Sequence, residues 1–150
     1  MVIVEPANPR DDGPLALLEA SHALMRAMFP PEENYFLEVD ALCGDDIRFF
    51  AAREDRQTLG VGALAIMHEY GEVKSMFTAP EARGKGVAAA LLRQIEDAAR
   101  DEGIDTLRLE TGDPLDAAVR LYERFGFRRC GIFGEYTPNS SSVYMEKTLR

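Results

Sequence analysis

At 150 residues the chain is the size of one ordinary domain with room for a substantial core, and 46% hydrophobic with 29% charged residues is the balance of a globular protein. A net charge of −9 argues against a phosphate-backbone binder, because nucleic-acid affinity comes from basic surface, and it suits a cationic or neutral small partner. No apolar run approaches the roughly 20 residues of a membrane span, and Met1-Val2-Ile3-Val4-Glu5-Pro6 lacks the basic start and long apolar core of a signal peptide. We therefore expect one domain, residues 1–150, in the cytoplasm, with neither a membrane nor a nucleic acid as partner.

Val2-Ile3-Val4 reads as a first strand, cut off by Pro6 and Pro9. Asp11-Asp12-Gly13-Pro14 then supplies a cap and a proline suited to a first helical turn. Leu15, Leu17, Leu18, His22, Leu24, Met25 and Met28 recur at helical spacing until Pro30 and Pro31 stop the helix by Phe29. His22, beside the apolar stripe, reads as a structural residue. The loop Phe29 to Tyr35 mixes aromatics, prolines and acids, so it is either a pocket wall or a rigid connector. A second helical pattern covers about Phe36 to Cys43. Cys43 and Cys130, far apart and without paired histidines, read as small core residues rather than metal ligands or a disulfide, and no metal site is expected.

From Ile47 the pattern changes to strands. Ile47 to Arg53, a polar turn, Thr58 to His68, the turn at Tyr70-Gly71, and Val73 to Thr78 make an antiparallel meander. Gly60 and Gly62 mark a bulge or a close approach. After Ala79-Pro80-Glu81-Ala82, the run Arg83-Gly84-Lys85-Gly86-Val87-Ala88 opens a helix that Asp101-Glu102-Gly103 ends. Ile104 to Thr111 is the next strand, so the strands at about 73–78 and 105–111 become parallel neighbours through a βαβ crossover. Pro114 starts a last helix with Ala117, Ala118, Leu121, Tyr122 and Phe125 on one face, and Gly126 stops it. Phe127 to Phe133 and Ser142 to Leu149 are the final strands.

A strand that feeds a glycine turn at a helix start leaves backbone N–H groups unpaired at the positive end of the helix dipole, which is an anion site. A P-loop is ruled out because Gly84-Lys85-Gly86-Val87 lacks the magnesium-binding hydroxyl, and the dinucleotide fingerprint is a poor match because a meander precedes the turn. Arg83-Gly84-Lys85-Gly86-Val87-Ala88 instead resembles the R/Q-x-x-G-x-G/A signature of the GCN5-related N-acetyltransferase (GNAT) superfamily. Leu121-Tyr122-Glu123-Arg124-Phe125-Gly126-Phe127 resembles the same family's late tyrosine box.

The resemblance implies an α/β (α+β) GNAT-like fold: a mixed, mostly antiparallel sheet of about seven strands, about four helices, and a βαβ acetyl-CoA-binding core. It implies acetyl-CoA as cofactor, its pyrophosphate on main-chain N–H groups of Gly84, Lys85, Gly86, Val87 and Ala88, with the side chains of Arg83 and Lys85 as secondary charge-assisted contacts. The pantetheine arm would run along Met76, Phe77 and Thr78, where the strand splays from its parallel neighbour. Tyr122, near the coenzyme sulfur, is implied as general acid. Glu72 and Glu110 are candidates for the base, each otherwise an ordinary solvated carboxylate, and His68 is a third. Thr111-Gly112-Asp113-Pro114 departs from the asparagine that many relatives carry there.

A small-molecule amine or amino-acid-like acceptor would be held by Phe29, Glu33, Tyr35, Glu135 and Tyr136. The alternatives are a protein lysine or N-terminal acetyltransferase, which needs an open groove, and a non-catalytic acyl-CoA-binding module. A homodimer is left open.

Overall fold

The computed structural model describes residues 1–149. Its strands are β1 (Ile3–Pro6), β2 (Ile47–Glu54), β3 (Gln57–Ile66), β4 (Gly71–Thr78), β5 (Thr106–Gly112), β6 (Arg128–Arg129) and β7 (Ser142–Thr148). The helices are α1 (Asp12–Met28), α2 (Val39–Leu42), α3 (Val87–Asp101) and α4 (Asp116–Arg124). One sheet runs β1-β2-β3-β4-β5-β7-β6, in which only the β4–β5 pair is parallel. The meander and the crossover are therefore as the sequence predicts. Among the described residues no helix is long and apolar enough to cross a membrane.

Each face of the sheet carries helices. Leu91, Leu92 and Ile95 of α3 are fully buried and share a core with Leu64, Leu107, Leu109 and Met145 of the sheet and Tyr122 of α4. Burying one such aliphatic side chain contributes about 1.5–3 kcal/mol. Leu18 of α1 and Leu42 of α2 pack with Phe49, Val61 and Ala63 in a second core.

The placement of α3 depends on β3. A Cβ on Gly60 would lie 2.6 Å from Val87 Cγ1 and 3.1 Å from Leu91 Cδ1, and one on Gly62 would lie 2.6 Å from the sulfur of Met76. These glycines let the helix and the bend of β4 approach the strand, the close approach that the sequence left as one of two readings. Gly60→Ala should destabilise the fold by about 1–3 kcal/mol through overpacking, read as a lower urea midpoint at unchanged slope.

Three expectations need correction. The helical run predicted over about 36–43 is confined to Val39–Leu42. Ahead of it the chain is non-helical, and the Phe36 ring stacks on buried His22 with centroids 4.2 Å apart. This contact places His22 in the packing between α1 and that segment. The strand predicted over 127–133 reduces to Arg128–Arg129. The chain then leaves the sheet edge and buries Phe133 among the rings of Tyr70, Tyr136 and Tyr144. Neither cysteine belongs to the core: Cys43 is exposed at the end of α2, where an Arg10 N–H points at its sulfur (3.1 Å), and Cys130 is half-buried.

Candidate active site

The glycine turn has the geometry of an anion cradle. Gly84 and Gly86 take left-handed φ of 83° and 77°, which only glycine adopts without strain, and a Cβ on either would meet nothing within 4 Å. Gly86 is the N-cap of α3, and no side chain caps that helix. The N–H groups of its first turn, at Val87 and Ala88, therefore lack an intrahelical partner. Lys85 differs, because its N–H reaches Ala82 O at 3.4 Å.

Beside the turn, the sheet opens. β4 pairs with β5 only at Gly71↔Leu107 and Glu72↔Arg108. Farther along, Ser75 and Met76 together oppose Gly62 of β3, a bulge in which Ser75 takes φ of 59°. Bulges bend the strand that carries them, and here the bend peels β4 away from β5. Two cavities occupy the cleft. One, of about 470 Å³, is lined by Met76, Phe77, Thr78, Arg83, Ala88 and Leu121 among others. The second, about 120 Å³, lies toward Phe29, Glu33, Tyr35, Lys74 and Glu110. Met25, Met76, Leu115 and Tyr122 line both, so the two spaces meet at those four side chains.

Tyr122 is only 6% exposed, and burial pushes its phenol well above the usual range, which keeps it protonated. Glu110 accepts a hydrogen bond from Ser142 Oγ at 2.7 Å. Burial raises its pKa above 4.5, and neighbouring Glu72 adds to the shift, against the lowering effects of Ser142 and Lys74. Glu72 itself is buried and stands behind the cavity wall. It accepts a short hydrogen bond from Tyr136 Oη and sits 3.4 Å from Lys74 Nζ. Burial and the Glu72 carboxylate push the Tyr136 phenol upward.

Two loops close over the smaller cavity. Tyr35 Oη lies 2.9 Å from Thr137 Oγ1 and accepts from Asn139 Nδ2 at 3.3 Å, while Ser141 Oγ donates to Glu33 Oε1 at 2.7 Å.

Residues 17–127 match the profile described as the acetyltransferase (GNAT) family. The chain belongs to that family. The acetyltransferase is 40% identical to an IAA acetyltransferase of Azospirillum brasilense, over 99% of this chain and 98% of that one. It is also similar to a Klebsiella pneumoniae structure assigned to the acyl-CoA N-acyltransferases, at 30% identity and a TM-score of 0.84, covering 100% and 99% of the two chains. The N-acetyltransferase PaiA of Thermoplasma acidophilum, solved with coenzyme A, shares the fold at 18% identity and a TM-score of 0.74, over 99% of each chain. The chain is thus an acetyl-CoA-dependent N-acetyltransferase, with a fold of the predicted class.

The turn of the acetyltransferase fits a pyrophosphate: uncapped N–H groups at a helix N-terminus, and glycines whose missing side chains leave open space. Of the residues assigned to the cofactor from sequence, Met76, Phe77, Thr78, Arg83, Ala88 and Tyr122 line the larger cavity. Val87 is not among the cavity's walls, and its side chain packs against Gly60, which leaves only its backbone facing the turn. Lys85 Nζ points to Glu54, 3.9 Å away.

Of the residues assigned to the acceptor, Phe29, Glu33 and Tyr35 line the smaller cavity. Tyr136 binds Glu72 and Lys74 beside it, and Glu135 is exposed and absent from its walls. His68 is exposed in the β3–β4 turn. Sequence reasoning missed Lys74, Ser75, Asn34 and the serines Ser141 and Ser142. The lone lysine inside an apolar strand was the one visible signal for this group.

Proposed function

We propose that residues 1–150 form one acetyltransferase domain that moves an acetyl group from acetyl-CoA to the primary amine of a small molecule. The observation that carries this reading is the meeting of two cavities at Tyr122, one reached from the glycine turn and one walled by carboxylates. Main-chain N–H groups of Gly84, Gly86, Val87 and Ala88 would hold the pyrophosphate, and the free edge of β4 at Met76 to Thr78 would hold the pantetheine arm. The bound thioester supplies an activated acetyl carbon and a thiolate leaving group.

Glu110 acts as the general base. Its carboxylate takes a proton from the attacking nitrogen, and its raised pKa brings it closer to that of an amine. Tyr122 Oη donates a proton to the sulfur as the C–S bond breaks and the C–N bond forms, so that one proton leaves nitrogen and one reaches sulfur. Glu72 is a positioning residue, which fixes Lys74 and Tyr136. The loop-to-loop bonds over the smaller cavity favour a small acceptor over a polypeptide lying in an open groove.

The pH profile tests the base. Protonated Glu110 cannot accept a proton, so kcat/KM should fall on the acid side with a midpoint above 4.5, the reference value for a glutamate. Glu110→Gln should remove that limb and lower kcat by about 10²–10⁴-fold, the usual weight of general base catalysis. The limb due to the amine itself should persist and move with the pKa of the amine chosen. Burial raises the folded pKa above the unfolded one, so the stability cost of ionising Glu110 builds as pH rises from the unfolded value through the folded one and is fully present above it. The same variant should therefore melt higher than wild type at neutral pH. An unchanged acid limb in Glu110→Gln would remove Glu110 from the mechanism.

A further inference from the structure

The hydrogen-bonding capacity that the smaller cavity leaves unused is almost entirely of one kind. Lys74 is its basic side chain among the described residues, and that ammonium is already engaged by protein groups. It donates to Tyr35 O at 3.0 Å and Tyr136 Oη at 2.9 Å, and the Glu72 carboxylate lies 3.4 Å away. Two of its three donors are taken by protein oxygens, and its charge is matched by the adjacent Glu72 carboxylate, so it offers a ligand carboxylate no unbalanced cation.

The acids are different. Glu33 is engaged through Oε1, by Ser141, and Glu110 through Oε2, by Ser142. The second oxygen of each has no partner among the described residues. Asn34 Oδ1 and Ser75 Oγ, on residues that also line the cavity, are buried without a partner. A carbonyl oxygen only accepts, and a hydroxyl accepts as readily as it donates. With Lys74 and Glu72 offsetting one another, the wall carries two surplus carboxylates and an excess of acceptors. A buried acceptor left unmatched is costly, so a complementary ligand brings donors.

We propose that the acceptor is a short diamine: Glu110 faces the nitrogen that is acetylated, and Glu33 holds a second ammonium that stays protonated, so that Glu33 selects the substrate. This rests on the acetyl-transfer reading above. It distinguishes a diamine from an amino acid, whose carboxylate would face Glu33 and find no free cation.

The test measures kcat/KM from thiol release with acetyl-CoA and three amines of equal chain length: 1,4-diaminobutane, n-butylamine and 4-aminobutanoate. The diamine should exceed the other two by about tenfold or more, the scale of one charge-assisted hydrogen bond. Glu33→Gln keeps an oxygen for Ser141 and loses the charge. It should raise KM for the diamine by a similar factor and abolish the preference. Glu33→Lys should move the preference to 4-aminobutanoate.

Turnover of n-butylamine or 4-aminobutanoate as efficient as that of the diamine, or a preference that survives Glu33→Gln, would overturn the proposal while leaving acetyl transfer intact. Thiol release with none of the three would overturn both.

Discussion

Replacing Tyr122 with phenylalanine is expected to lower kcat by about 10²–10⁴-fold, the weight of a positioned general acid, while coenzyme A still binds. Tyr122 lines both cavities at the place where they join. Its ring packs against Phe127 with centroids 5.7 Å apart and forms part of the core around α3. Phenylalanine preserves that packing and removes only the hydroxyl. Stability should therefore change little, whereas a residue acting only as a buried aromatic would lose nothing in kcat. The measurements are single-turnover thiol release for the chemical step and the shift in Tm with coenzyme A for binding. A variant that keeps full kcat would leave the hydroxyl without a role and return Tyr122 to a purely structural place on α4.

The second large effect concerns the turn. Gly86→Val should abolish the stabilisation that coenzyme A gives the wild type and raise KM for acetyl-CoA by at least about tenfold, the loss of one charge-assisted contact. Two causes act together. A β-branched residue at φ of 77° is strained by about 1–3 kcal/mol. Its side chain would also project into the open space beside the uncapped end of α3, where a phosphate must approach the backbone.

Gly103 provides the control. It too has a left-handed φ, 74°, and open space around its Cβ position, but it lies past the opposite end of α3. Gly103→Val should lose comparable stability and keep its response to coenzyme A. If both variants lost that response equally, the effect would come from strain in the helix and not from the cradle.

The parts of the site that were legible in the sequence are those fixed by local chemistry. Gly84 and Gly86 need left-handed backbone, and a glycine turn between a strand and a helix has few other uses, so the cradle could be read from six consecutive residues. The tyrosine box was legible for a similar reason, because helical spacing and Gly126 place Tyr122 on an inward face.

Features set by long-range packing were not. The predicted strand over 127–133 contains enough apolar residues to suit a sheet, but Phe133 packs among the rings of Tyr70, Tyr136 and Tyr144, and the chain departs after two residues. The wall of the smaller cavity brings Glu33, Lys74, Glu110 and Ser141 together from four distant parts of the chain. No spacing rule joins them. Glu72 illustrates the limit most clearly, since its type and position on β4 suit a base, yet Tyr136, 64 residues away, occupies it.

The most direct test of the account is amine-dependent release of free coenzyme A thiol by the purified protein, with the acetylated product identified by mass. The account predicts thiol release that requires both acetyl-CoA and a primary amine, yields a stoichiometric amide, and collapses in Tyr122→Phe. A protein that binds coenzyme A tightly but releases no thiol with any amine would contradict it, and would leave the two cavities as a binding module without chemistry.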